Sequence, residues 1–490
     1  MNNYTKVFSL LVFAILGYVG ISHHEIWLDE AHHFVLARDS KTLSDLYFNN
    51  RYEGHPMLWD FLLWCMCKLF PTVFAMQLLH LLIAIFNAAI ILWYSPFKLY
   101  QKIVVCFSYF MFYEYTIISR NYALSLFLVL VSVVMITRVK KNYPLILILL
   151  ALLANTHLFS LVISIFLFIY LLSTDENFKA LFSQKRNYIF IFLYLVLLLF
   201  AASFAKVPPD HFLFNYNNDK LLSIKRIGKA LSICWKGLFH LQPINEFNLW
   251  NKNWLIEFNK NIGIIASALA WLIPFLLFKE NKKILLLFFC ISLCICLFAY
   301  MSPLNVAVRH SGFIFLAFVI SYWILTQQKN KTQNKKSEFI FSVIIAQLCI
   351  SSLVMYIHDY NYSFSEGKNA SAFVQAINKE NNIPVICHNT ATPVISAYLQ
   401  NKVIEINSLN KSSFCHWNNN PFVLTENEIV QNLIRFIDST NVKTMIYISL
   451  NKIEINRINL TKKLRITLKN SFSKSIVKPE NYYVYLVEKI

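Results

Sequence analysis

The sequence predicts a polytopic α-helical membrane protein of about eleven crossings, with interfacial helices and a small C-terminal α/β domain. Three observations lead there. Apolar runs long enough to cross a bilayer recur from residue 6 to residue 357 of the 490-residue chain. The basic residues between them gather in alternate loops, as the positive-inside rule expects. Residues 358–490 are polar and carry no such run. A 57% hydrophobic content and a mean hydropathy of +0.48 exclude an ordinary soluble enzyme. The net charge of +19 does not point to nucleic acid, because the basic residues are not collected on one module. The expected division is therefore a membrane domain over 1–357 and a soluble extracytoplasmic domain over 358–490.

Lys6 precedes an apolar run over 7–22 with no small-residue cleavage site after it, so this run reads as an uncleaved first helix with a cytoplasmic N-terminus. Lys98/Lys102, Arg138/Lys140/Lys141, Lys179/Lys185/Arg186, Lys279/Lys282/Lys283 and the run 329–336 are then cytoplasmic. Spans near 73–93, 103–118, 122–137, 144–157, 158–172, 188–205, 260–278, 283–300, 310–326 and 338–357 alternate correctly and leave the C-terminus outside. The two near 144–172 are short enough to read equally as one tight hairpin. Residues 57–70 look like a crossing but are too short, and counting them would invert every later loop. They are expected in the outer interface, where Trp59, Trp64 and Lys68 fit. The outer stretch 206–259 breaks the charge rule, carrying Lys206, Lys220, Lys225, Arg226, Lys229, Lys236 and Lys252. It reads either as a basic attractor for an anionic lipid phosphate or as amphipathic helices on the headgroups.

In the tail, 384–388, 444–449 and 482–487 have strand patterns, and 366–380 and 425–438 have helical ones. There is no internal repeat and no phosphate-binding glycine loop. Cys106, Cys290, Cys294, Cys296 and Cys349 sit in apolar runs as small hydrophobes. Cys65 and Cys67 are too close for a zinc knuckle. Cys387 and Cys415 are able to pair if the tail meets an oxidising compartment.

The chemistry is expected around Trp27-Leu28-Asp29-Glu30-Ala31-His32-His33, just past the first span. Asp29 is placed to cap a helix over 30–38, which puts His32 and His33 on its face. That suffices structurally, while a carboxylate beside imidazoles at a membrane surface also suits a general base. His23, His24, His32, His33 and His55 with these carboxylates form a donor set that a divalent metal could use, His32 and His33 foremost. Arg51-Tyr-Glu-Gly54-His55-Pro56 turns into the interfacial helix. Glu114 and Arg120 flank an outer turn, either as an ion pair or as substrate contacts. His157 lies at the next outer turn. Arg309-His310 opens the tenth span after Ser302-Pro303-Leu304-Asn305, where an arginine either snorkels or holds a lipid phosphate.

Asp29-Glu30 after the first helix, Gly54-His55-Pro56 before an interfacial helix, Ser119-Arg120-Asn121-Tyr122-Ala123-Leu124 and Thr156-His157 together resemble the GT-C superfamily of polyprenyl-phosphate-dependent glycosyltransferases. The likeness is to the branch containing protein O-mannosyltransferases and the lipid A aminoarabinose transferase. It covers roughly residues 1–330, and the tail matches nothing. The resemblance implies Asp29 as general base, with Glu30 as its supporting or acceptor-binding neighbour. Arg309 would bind the carrier phosphate, with His310, Arg120, His55 and His157 beside the substrates. It implies a polyprenyl-phosphate sugar donor, a lipid, glycan or protein acceptor, inversion at the sugar, no cofactor, and a site outside a bacterial plasma membrane. The chain departs from the family pattern at Pro56-Met57, where many relatives carry two prolines, and at Asp60. Two rival classes are a lipid-linked sugar transporter and an O-antigen ligase or polymerase. Transporters favour repeats and broken helices, and Pro274 is the main mid-span interruption here.

Overall fold

The computed structural model describes residues 2–175, 181–182, 184–206, 208–211, 224–301, 307–328, 335–379, 382–418, 424–454 and 463–490. Lys179, Lys220, most of the basic run 329–336 and the segment Ser302-Pro303-Leu304-Asn305 lie outside these residues. The chain opens with α1 (Asn2–His23) and then three short helices, α2 (Leu28–Asp39), α3 (Leu43–Asn50) and α4 (Leu58–Cys67). The bundle continues through α5 (Val73–Tyr94), α6 (Leu99–Cys106), a π-helical segment (Tyr109–Ile117), α7 (Tyr122–Ile136), α8 (Tyr143–Ala154), α9 (Leu158–Thr174) and α10 (Lys185–Ser203). After α11 (Ile224–Leu238) and α12 (Trp254–Phe258) come α13 (Lys260–Ala270), α14 (Leu272–Phe278), α15 (Lys282–Met301), α16 (Val308–Gln328) and α17 (Lys335–Asn361).

Helix stands at each expected crossing. Seven of these helical stretches are long and apolar enough to span a bilayer. The others are shorter: the 12 residues of α8 reach only about 18 Å at 1.5 Å per residue. The expected crossing 103–118 is divided into α6 and the π-helical segment, all nine residues of which are buried. Pi turns cluster at functional sites, and this one carries the backbone toward Arg120. The chain also bends between α13 and α14, three residues before Pro274, whose ring cannot continue the hydrogen-bond ladder. Helix α4 is too short to cross, as expected, but Trp59 is 1% exposed and packs on His80, so it does not face headgroups. Only the far end behaves as an interface, with Lys68 over the Trp64 ring at 4.6 Å.

The basic loops assigned to one side share one end of the bundle. There Lys98 meets Glu338 at 2.5 Å, Lys141 meets Asp175 at 3.5 Å, and Asn281 bonds Gln328 at 2.8 Å. Arg120, Asp29, Arg309 and Asp359 collect at the other end.

The tail contributes β1 (Val385–Cys387), α19 (Thr392–Leu399), β2 (Val403–Glu405), β3 (Lys411–Ser412), α20 (Glu426–Thr440), β4 (Thr444–Ser449), β5 (Leu464–Phe472) and β6 (Tyr482–Lys489), preceded by α18 (Gly367–Ile377). Its six strands run β3-β2-β1-β4-β6-β5, parallel among β2, β1 and β4 and antiparallel elsewhere. Strand β6 lies inside the sheet and does not close its edge. Cys387 and Cys415 are both buried free thiols, so the pairing allowed by the sequence does not form.

The tail is bolted to α2. Tyr398 Oη accepts from Ile26 N at 3.0 Å, and Arg38 donates to the Ser396 carbonyl at 3.2 Å. Cys415 N donates to His32 Nδ1 at 3.3 Å. Glu480 Oε1 accepts from Leu28 N at 3.0 Å, answering one of the four amides that a helix start leaves without partners. Burial pushes Glu480 up to about 7 from an ordinary 4.5, although Tyr482, Ser365 and Leu28 donate to it. The raised value means that the folded state holds this proton more tightly than the unfolded one. Stability is therefore present below 4.5 and is lost as pH rises toward 7. Glu480→Gln is expected to remove about 3 kcal/mol of this pH dependence. Thermal unfolding midpoints of the purified protein measured across that window check it.

Candidate active site

Helix α2 carries the acidic pair. It begins at Leu28, with Trp27 as the boundary residue, so Asp29 lies inside the first turn and is not the cap. Glu30 takes the capping role instead, its Oε2 accepting from Trp27 N at 3.3 Å. Two carboxylates thus serve the helix start, Glu30 from within and Glu480 from the tail, and Asp29 is left free for other partners.

Its partners are two arginines. Asp29 Oδ2 lies 2.9 Å from Arg309 Nη2 and 3.3 Å from Arg120 Nη1. Burial opposes the charge, but the guanidiniums of Arg120 and Arg309, with His33 and His32 behind them, hold the Asp29 carboxyl below the usual range. Asp29 is also the open member of the set. Its side chain is 26% exposed, against 15% for Arg309, 5% for Arg120 and 0% for Glu30.

Of the two roles the resemblance implied for Glu30, its contacts suit the supporting one. Both its oxygens are occupied, by His24 Nε2 at 3.0 Å, Trp27 N, and Ser119 N at 2.5 Å. A carboxylate so enclosed cannot reach an acceptor. It fixes the turn that presents Arg120, and His80 Nε2 holds the Arg120 carbonyl from the other side at 3.0 Å. His24 bridges Glu30 and Asp359, the latter at 2.8 Å. Burial disfavours its charge, yet the two carboxylates outweigh that and raise its pKa well above the ordinary value.

Glu114 and Arg120 do not pair. Glu114 accepts from Tyr109 Oη at 2.7 Å and Trp250 Nε1 at 3.2 Å, deep in the bundle. Arg309 packs beside two indoles, with its guanidinium carbon 4.9 Å from the Trp27 ring centre and 5.7 Å from that of Trp250. Tyr115 Oη donates to the Arg309 carbonyl at 2.7 Å. The stretch 206–259 therefore serves the site through an aromatic ring. Of its lysines, Lys252 pairs with Glu246.

The remaining histidines divide into two groups. His32 Nε2 meets Glu53 Oε1 at 2.7 Å, and Trp417 donates to the same oxygen at 2.8 Å. Burial would raise Glu53, but His32 holds it down at about 2. His33 Nδ1 meets Asp60 Oδ1 at 2.6 Å, which accounts for a carboxylate in the otherwise apolar α4. The metal alternative had named these two imidazoles, and each has its own carboxylate. Among the described residues no group of three His, Cys, Asp or Glu side chains is arranged to hold a metal.

The second group lines the open side. Gly54 takes a φ of +66°, where other residues are strained, and so turns the chain into His55. The His55 and His157 rings stack at 4.4 Å, and His157 lies 4.7 Å from Phe313 and 6.0 Å from His310. Burial, with Arg120 and His33 nearby, pushes His55 down to about 3, so its imidazole is neutral. His55 Nδ1, His157 Nε2, Arg120 Nε and Ser119 Oγ are buried without hydrogen-bond partners among the described residues.

The structure thus brings together Asp29, Arg120, Arg309, His55, His157 and His310. Glu30, His32 and His33 stand behind them. The sequence reading missed Trp27, Trp250, Tyr122, Phe313 and Glu53 as lining or support. Trp27, Glu53 and Tyr122 each stand inside a motif already singled out, whereas nothing local marks Trp250 or Phe313.

No family model matches the chain, and no curated protein does. Solved structures do, among them two of ArnT from Cupriavidus metallidurans, one bound to undecaprenyl phosphate and one in the apo state. Each has a TM-score of 0.53 at 10% identity and covers 98% of this chain and 97% of that chain. The chain therefore has an ArnT-like membrane fold, and the fold likeness extends through the tail that the sequence resemblance left unmatched.

The seating of Arg309 is sensitive to Gly312, one turn along α16. A methyl there would collide with the Tyr115 hydroxyl and approach the Phe110 ring to 2.6 Å. Gly312→Ala is expected to cost about 1–3 kcal/mol, the range for overpacking. A lowered Tm of the purified protein checks it.

Proposed function

We propose that this protein is a membrane glycosyltransferase that moves a sugar from a polyprenyl-phosphate donor to an acceptor hydroxyl on the outer face of a bacterial plasma membrane. The observation that carries the reading is the single carboxylate oxygen of Asp29, 2.9 Å from Arg309 and 3.3 Å from Arg120, at one end of an apolar helix bundle. An exposed base beside two guanidiniums suits the displacement of a phosphate from a sugar carbon. The ArnT-like fold supports it, since one of those structures is of ArnT bound to undecaprenyl phosphate.

In this reading the donor headgroup lies between Arg309 and Arg120, whose charge stabilises the departing phosphate. Asp29 accepts the proton of the acceptor hydroxyl. The acceptor oxygen bonds to the anomeric carbon while the carbon–oxygen bond to phosphate breaks on the opposite face. That electron pair leaves on the phosphate oxygen, and the sugar inverts. His55, His157 and His310 face the sugar hydroxyls, with His55 in the neutral form that can both donate and accept. The Trp27 and Trp250 rings keep Arg309 in register with the carrier.

Asp29→Asn is expected to reduce turnover by at least about 10²-fold, the lower range for a positioned base. Arg309→Ala is expected to reduce it similarly while also raising the KM for donor. Mass spectrometry of sugar transferred from a synthetic polyprenyl-phosphate sugar by the purified protein measures both. Full transfer by Asp29→Asn would remove Asp29 as base, and passage of the lipid across vesicles without transfer would favour a transporter.

A further inference from the structure

The ion pair that holds Asp29 also disables it. A carboxylate whose Oδ2 is shared by two guanidiniums has little basicity to offer. Arg309 is the cation that a lipid phosphate would claim in the reading above, and here it is engaged with the base. The two uses of Arg309 compete. We infer that the donor phosphate activates its own transfer by drawing Arg309 away from Asp29, so that the base is released only after the donor is seated.

The surroundings are built for such a handover. Arg309 is held by the Tyr115 bond to its carbonyl and packs beside the Trp27 and Trp250 rings, which meet each other edge to face at 4.9 Å and so lie on one side of the guanidinium. Its Nε, like that of Arg120, is buried without a hydrogen-bond partner among the described residues. A phosphate offers the bidentate geometry that this fork favours over one carboxylate oxygen. Arg120 is the more enclosed of the two, its side chain 5% exposed against 15% for Arg309, and its backbone turn is held at several points. Glu30 grips Ser119 N, His80 meets the Arg120 carbonyl, and Asn121 bonds the Thr156 carbonyl at 2.9 Å. Arg120 therefore stays as a tether and keeps Asp29 oriented when Arg309 leaves. Before donor binds, the double pairing keeps the base from acting on water or on an early acceptor. The reaction is consequently ordered, with donor first.

The inference rests on the glycosyltransferase reading but can fail separately. The probe is undecaprenyl phosphate, titrated against the full-length protein in lipid nanodiscs. Removing the competing carboxylate should strengthen binding. Asp29→Asn is expected to bind the lipid phosphate about tenfold more tightly than wild type, equivalent to about 1.4 kcal/mol. Asp29→Glu, which keeps the charge, should not. Asp29→Ser supplies a second neutral variant should Asn impair folding. In an Arg309→Gln background the gain should vanish, because the competition runs through that guanidinium. Unchanged or weaker binding by the neutral variants overturns the handover. An equal gain without Arg309 also overturns it, by assigning the effect to charge repulsion alone. If wild type binds no lipid phosphate at all, the glycosyltransferase reading falls with it.

Discussion

A carboxylate at the edge of a bilayer persists as an ion only when cations answer it, and removing one partner of such a pair leaves a buried charge uncompensated. Asp29 has two such cations. Much of this end of the helix bundle can be understood as the means of keeping them in place. Arg309 is braced by Tyr115 and two indoles, and Arg120 by a turn that Glu30 and His80 grip from either side. These supports come from elements far apart in the chain. The charges meet because the helices do.

Around that centre other buried ionisable side chains are partnered locally. His24 lies between Glu30 and Asp359, His32 faces Glu53, and His33 faces Asp60. Each imidazole has a carboxylate within 3.0 Å, so each of the four ionisable residues in the first two turns of α2 has a polar partner. Pairing of this kind costs desolvation on both sides and adds little stability by itself. Its effect is geometric: it fixes the rotation of α2 and aims Asp29 at the accessible side while its neighbours turn inward.

How much of this was legible from sequence follows the range of the interactions. Helix positions were readable because hydrophobic runs are local signals, and the ends of the bundle were readable because charge in alternate loops obeys parity. Asp29, Arg120 and Arg309 could be named as candidates because ionisable residues beside apolar spans are costly and therefore informative. Which of them pair was not legible. Glu114 and Arg120, six residues apart, looked like natural partners, yet Arg120 reaches back to residue 29 and Glu114 bonds Trp250. The division between Asp29 and its neighbour was hidden for the same reason: only the fold shows that Glu30 is sealed by Ser119 and His24. Asp60 appeared anomalous because its partner His33 lies across a helix–helix contact. The basic stretch 206–259 drew attention to its lysines, whereas among the described residues the contact it makes with Arg309 is through Trp250.

The bond between Leu28 N and Glu480, which joins residues 452 positions apart, has a consequence for biogenesis. The helix bearing Asp29 is among the first structures a ribosome would deliver, but its opening turn lacks one of its hydrogen-bond acceptors until residue 480 has been synthesised and folded against it. The membrane helices can insert one after another as they emerge, while the end that carries Asp29 must wait. A nascent chain would thus traverse most of its synthesis with the start of this helix unfinished, and only completion of the sheet would finish it.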